Sequence, residues 1–160
     1  MALQVTESQN TKVYLINAGT ALTDADSIET AITSGKQIGC LQDLGSIAVS
    51  RNVQEYSCLS SDETAKSLGA ISLPNITMQL LFDADDVTGQ AELRSMWNDN
   101  SRRIMVVELP DQITPITGNP TYIYFEAGLS SHGVTISKDN AVMVDVTVEI
   151  CSNPKYVYAS

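Results

Sequence analysis

Ala141-Val142-Met143-Val144-Asp145-Val146-Thr147-Val148-Glu149-Ile150-Cys151 alternates along its whole length. In an extended chain Val142, Val144, Val146, Val148 and Ile150 share one side. Met143, Asp145, Thr147, Glu149 and Cys151 share the other. This is the period of a strand with one face in a core and one face polar. Five aliphatic residues on one side need a partner layer, so the fold is to be read around this strand.

Working outward, Ile76, Met78, Leu80 and Phe82 alternate with Asn75, Thr77, Gln79 and Leu81 in the same way. Pro74 lacks an N–H and marks the start of that strand or an edge. Arg103 to Leu109 reads as a third, apolar strand. Tyr122 to Gly128 reads as a fourth, rich in aromatic and β-branched residues, with Ser131-His132-Gly133 as a turn after it. Pro110 to Pro120 holds Pro115, Gly118 and Asn119 and reads as a loop. Between the second and third strands, Asp83-Ala84-Asp85-Asp86 precedes Gly89, Leu93, Met96 and Trp97 at helical spacing. An aspartate accepts from the free N–H groups of a helix start, and its charge suits the positive end. A helix running to Asn98-Asp99-Asn100 is expected, with Trp97 in the core beside Leu93. Glu92 and Arg94 lie off the apolar face.

The first half is less periodic. Lys12 to Asn17 is a short strand ended by Gly19. Asp26 to Ile32 supports one helical turn closed by Gly35. Ile38 to Val49 suggests two short strands around Asp43-Leu44-Gly45-Ser46, and Arg51 to Leu59 alternates weakly. Ser60-Ser61-Asp62-Glu63-Thr64-Ala65-Lys66-Ser67-Leu68-Gly69 reads as a long polar connection, a kind of segment that is usually functional or ordered by a partner. The sum is a mainly antiparallel β domain, a sandwich or small barrel, with one flanking α-helix. A single domain spans 1–160, with an N-terminal arm over about 1–10 and a short C-terminal tail over about 152–160.

Charge narrows the function. The net charge is −10, from 9 Lys and Arg against 19 Asp and Glu. Proteins held by nucleic-acid phosphates need clustered cations, and so do those drawn to anionic membranes. Neither is expected here, although an acidic surface suits DNA that must slide past without sticking. Met1 to Glu7 lacks the basic and apolar regions of a signal peptide, and no apolar run approaches a membrane span. Cys40, Cys58 and Cys151 are odd in number, far apart and without a CxxC, so reduced thiols are expected, not a disulfide framework or zinc site. His132 has no triad spacing around it. GxSxG, HExxH, P-loop and GxGxxG patterns are absent. The acidic run at 83–86 has the wrong spacing for a calcium loop. No catalytic residue, cofactor or metal is expected.

The order of elements from Phe82 onward is more specific. It runs from Ala84-Asp85-Asp86-Val87-Thr88-Gly89-Gln90-Ala91-Glu92-Leu93 through Met96-Trp97 and Arg103-Ile104-Met105-Val106-Val107-Glu108-Leu109-Pro110. It continues with Phe125-Glu126-Ala127-Gly128-Leu129-Ser130-Ser131-His132-Gly133 and ends in a valine-rich strand closed by Ser152-Asn153-Pro154. This order, with Ile38 to Ile47 as a first hairpin region, resembles the major tail tube proteins of long-tailed, non-contractile bacteriophages over Ile38 to Tyr156. That fold is shared with the inner tubes of contractile tails and of type VI secretion. Some members carry an appended C-terminal domain, whereas here Ser160 follows soon after the last strand.

The resemblance implies a structural virion protein. Its subunits would form hexameric rings stacked head to tail, their sheets joined into an inner barrel through which DNA passes without specific binding. A tape measure, a tail tip initiator and a terminator would be further partners. The location implied is the virion tail, after assembly in the host cytoplasm. Asp145 and Glu149, opposite the valines, are then candidate lumen-lining acids, with Glu108 as a third, though a half-buried strand carries polar residues on its outer face in any case. Ser60 to Gly69 is the candidate inter-subunit loop, with Met1 to Asn10 and Lys155 to Ser160 as further candidate contacts between rings. Two rivals stand beside this reading: a capsid decoration or tail terminator protein that forms a ring without growing, and an enzyme or carbohydrate-binding sandwich using Trp97 and the six tyrosines.

Overall fold

The computed structural model describes residues 9–111 and 118–159. In chain order the elements are β1 (Lys12–Asn17), α1 (Ala25–Ser34), β2 (Lys36–Gln37), β3 (Leu41–Asp43), β4 (Ser50–Ser57), β5 (Thr64–Ser72), β6 (Asn75–Leu81), α2 (Gly89–Asp99), β7 (Arg103–Glu108), β8 (Tyr122–Thr135), β9 (Met143–Ile150) and β10 (Lys155–Val157). One antiparallel sheet runs β2-β1-β7-β8-β9-β6-β3, with β10 also paired to β8. It curls into a half-barrel. Among the described residues β4 and β5 pair only with each other, as a separate two-stranded ribbon. The mainly antiparallel β expectation therefore holds, in its barrel-like form.

β9 is the strand its alternation predicts. Val144, Val146, Val148 and Ile150 are buried, and Met143, Asp145, Thr147 and Glu149 are half-buried on the other face. Its neighbour β6 buries Ile76, Met78 and Leu80. These residues join Val13, Leu15, Met105, Val107, Phe125 and Ala127 in one core, which Leu93 and Met96 of α2 cover. Each of these Val, Leu, Ile, Met and Phe side chains stabilises by about 1.5–3 kcal/mol through burial, and Ala127 by less. On the opposite face α1 covers Ile16, Val106 and Tyr122 through Ile28 and Ala31, a smaller second core.

The acidic run does cap α2, through one residue. Asp86 accepts from the backbone N–H of Thr88 (2.9 Å), Gly89 (3.1 Å) and Gln90 (3.1 Å). Burial works against its charge, but these donors outweigh it and hold the carboxyl below its ordinary range. Asp83 instead ties its own turn, accepting from Asp85 N–H at 3.0 Å. Buried Gln90 locks the helix start to the end of β6, donating to Leu81 O at 2.7 Å.

Several expectations need correcting. Ser60 to Gly69 is not a loop: Ser60 to Glu63 form the turn of the ribbon, and Thr64 to Gly69 belong to β5. Ser131-His132-Gly133 is not a turn, because β8 runs on to Thr135 through a bulge between Leu129 and Ser131. The single helical turn near Asp26 is the ten-residue α1, so the sheet carries two helices. Asp24 and Ser27 close a capping box on it, and Gly35 ends it as expected. Of the 38–49 stretch only Leu41–Asp43 is a strand. The tail at 152–160 contains β10, which pairs with β8 of the same chain. Trp97 is 45% exposed and not core, whereas Glu92 is buried. Of the arm, residues 1–8 lie outside the described residues, as do 112–117 of the 110–120 loop.

Candidate assembly surfaces

Register places all three candidate lumen acids on the sheet face opposite α2, but in two settings. Val106 pairs with Tyr124 and Glu108 with Tyr122, and Gly128 pairs with Glu149. Tyr122, Tyr124, Glu126 and Gly128 share one side of β8 by alternation, so α1 and Glu149 meet the same face. α1 covers the β1-β7-β8 half of it. Glu108 sits in that half among tyrosines, and the Tyr14 hydroxyl donates to it at 3.5 Å. Burial, then the Glu108 charge, raises the Tyr14 pKa and pushes Tyr122 up to about 12.

Among the described residues no helix covers the other half of the face. Asn75, Thr77 and Gln79 of β6 pair with Glu149, Thr147 and Asp145 of β9. These in turn pair with Gly128, Ser131 and Gly133 of β8. The Thr135 hydroxyl donates to Asp145. This surface is built from small or amide and hydroxyl side chains and two carboxylates, and none of these paired residues is Lys or Arg. The structure thus brings Asp145 and Glu149 together and sets Glu108 apart.

The ribbon is the second surface. Every residue of β4 and β5 is exposed. At its turn Leu59 is fully exposed, and Cys58 lies beside Ser60, whose bonds lower the thiol pKa. The third surface is a groove of about 730 Å³ lined by Gln9 to Thr11, Leu41 to Ile47, Val107, Leu109, Ile123 and Tyr156.

One buried charge cluster went unseen in the sequence. Glu92 accepts from Lys36 Nζ and from Arg103 Nε, both at 2.7 Å. The Lys36 bond and then Arg103 hold its carboxyl below the ordinary range against burial. The cluster ties α2 to β2 and β7 and has a structural role. Its signal was the basic residue at the start of each of two strands flanking the helix. His132, on the α2 side of β8, is lowered by burial and then by Arg94. Among the described residues no three His, Cys, Asp or Glu side chains converge to hold a metal.

A curled antiparallel sheet with a helix on each face, a bare polar strip and a projecting ribbon is a specific combination. The fold is that of the tail tube. The chain superposes on a subunit of the SPP1 tail tube with a TM-score of 0.67 at 10% identity, covering 96% of this chain and 80% of that one. It matches the sheath/tube terminator of an extracellular contractile injection system in the extended state with a TM-score of 0.72 at 11% identity, over 98% and 99% of the two chains. It matches the tail of a gene transfer agent particle, refined with C6 symmetry, with a TM-score of 0.67 at 13% identity, over 96% and 99%. No family model and no curated protein sequence matches the chain. The tail-tube fold is thus common to contractile and other systems, and at these identities the likeness carries the fold alone.

Proposed function

We propose that this chain is a structural virion protein whose copies close into hexameric rings, and that the rings stack into the hollow tail tube through which DNA is ejected. The observation that carries the reading is the bare polar face set in a tail-tube fold. Asp145 and Glu149 repel phosphates there, the flanking Asn75, Thr77, Gln79, Thr147 and Ser131 are uncharged, and Arg102 beside Gly128 is paired with Glu126. Glu108 belongs to the α1-covered margin of the same face and contributes less. A two-stranded ribbon with no support from its own domain is marginally stable in water, which favours its use as the inter-subunit arm at Ser60 to Gly69. A head-to-tail contact of that kind propagates along an axis. The tape measure, tip initiator and terminator are the further partners. The tube is that of a non-contractile tail, assembled in the host cytoplasm and located in the virion.

A second reading has its own support, since the terminator of a contractile system shares the fold at a TM-score of 0.72. A terminator closes a ring without growing. Negative-stain electron microscopy of the purified protein at rising concentration, beside sedimentation, separates the two. Hollow tubes or stacked rings are expected. A closed ring that never stacks overturns the tube and favours the terminator.

A further inference from the structure

We propose that the β4–β5 ribbon binds a second copy of this chain through one face only, that of Arg51, Val53 and Leu68, and that this face seats in the partner's groove beside Leu41 to Ile47. The inference rests on the assembly reading in its partner, another copy, and not on whether the assembly is a tube.

The pairing register divides the ribbon into two unlike faces. Val53 lies opposite Leu68 and Glu55 opposite Lys66, with Arg51 opposite Ile71 toward the base. On the other side Gln54 lies opposite Ser67 and Tyr56 opposite Ala65. The first face therefore holds an aliphatic cross-strand pair between charged residues, and the second holds small and uncharged groups. Val53 is 52% exposed and Leu68 70% exposed. Cross-strand apolar pairs stabilise a ribbon only weakly in water, so the pair contributes fully when something covers it. Among the described residues the chain's own body does not. A nine-residue strand carries the ribbon about 30 Å outward, about twice the radius of gyration of a 160-residue domain, so a neighbouring molecule is what it reaches.

The groove has the matching chemistry. Leu44, Ile47, Leu109, Ile123 and Tyr156 make an apolar floor and wall, and Asp43 lies in its lining. Leu109 and Ile123 extend the main core and remain only partly buried, which among the described residues leaves a continuation of that core open. Charge selects the occupant. Arg51 has only a long bond to Gly69 O at 3.5 Å. Asp43 accepts from Gly45 N–H, and neither residue forms an ion pair among the described residues. On this face Arg51 and Lys66 stand against Glu55, while Asp62 and Glu63 lie farther out at the turn, so the base of the ribbon at Arg51 is its positive end in a chain of −10. Two copies at −10 repel, and an Arg51–Asp43 contact offsets that repulsion locally as Val53 and Leu68 enter the groove.

The test places a photo-crosslinking benzoylphenylalanine at Leu68 in the full chain, in an equal mixture of ¹⁴N- and ¹⁵N-labelled protein at concentrations where oligomers sediment. Both Leu68 and the control position Gln54 are exposed, so the fold tolerates either replacement. Mass spectrometry is expected to find mixed-isotope crosslinks from position 68 to peptides containing 41–47 or Tyr156, and several-fold fewer from position 54. Crosslinks within one chain, crosslinks to other segments, no crosslinks, or equal yields from 54 and 68 each overturn the proposal. Electron microscopy of the same sample reads the tube separately. A closed ring with the expected crosslinks keeps this docking and removes the tube, and tubes without them do the reverse.

Discussion

Replacing Glu92 with Gln tests whether the buried charge cluster holds α2 to the sheet. Glu92 has a side-chain exposure of 10%, Arg103 20% and Lys36 50%. A hydrogen bond to a charged group contributes about 1.5–3 kcal/mol net. The Lys36 leg is half in water, so screening reduces it to about 1 kcal/mol or less. The Arg103 leg is better shielded, but Arg103 keeps its bonds to Ser101 Oγ (3.0 Å) and Arg102 O (2.9 Å) and is not orphaned. Gln retains one acceptor and loses the charge, so about 1–2 kcal/mol of stability should go at neutral pH. The pH dependence gives the sharper test. The folded carboxyl titrates below its unfolded value. Its contribution is therefore present above the unfolded glutamate pKa of about 4.3 and disappears as pH falls through the lower folded value. Urea unfolding of native and Glu92→Gln protein at pH 7 and near pH 3 should show a gap that narrows in acid. Equal stability at pH 7, or a gap of the same size in acid, refutes the account.

Gly89→Ala should cost stability near the upper end of the ~1–3 kcal/mol range for overpacking. A Cβ there would stand 2.2 Å from Gln37 O and 2.4 Å from Ile38 Cα, backbone atoms that cannot rotate away. Gly133→Ala has nothing within 4 Å and serves as the silent control in the same urea series. Asp145→Lys with Glu149→Lys should slow DNA ejection from assembled particles, and unchanged ejection removes both residues from the lumen. Replacing residues 51–71 with a short glycine turn should leave unfolding free energy within about 0.5 kcal/mol while oligomers disappear from sedimentation. A truncated chain that fails to fold contradicts the ribbon's independence.

What could be read from the sequence follows burial. β9 and β6 were legible because one face of each packs on the core and the other does not, so alternation is written into residue type. α2 was legible from Leu93 and Met96 at helical spacing and from the aspartates before them. Trp97 misled because its residue type argues for burial, while its position on the helix turns it toward solvent. The second half of β8 was lost because the bulge between Leu129 and Ser131 shifts the phase of alternation, and Ser-Ser-His-Gly imitates a turn. Glu92 was placed off the apolar face and given no partner because its two cations lie 56 positions before it and 11 after it. Asp145 and Glu149 were placed on one face by period alone. That Glu108 stands apart from them depends on α1, whose length was underestimated although Asp24 and Ser27 carried its capping signal.

The ribbon failed to show for a different reason, and that reason bears on its role. A strand advertises itself when its own domain buries one face. Among the described residues β4 and β5 pair only with each other and stay exposed, so selection within the subunit imposes no alternation on them, and their polar turn reads as a loop. What remains patterned is the cross-strand pair Val53–Leu68 between Arg51 and the Glu55–Lys66 pair, a pattern visible only once register is known. In the assembly proposed here that remnant is the imprint of a second molecule. A ribbon only marginally stable alone and made firm by docking also makes growth depend on an end that already presents a groove. With a charge of −10 on every copy opposing free association, subunits add to an existing ring in preference to starting a new one.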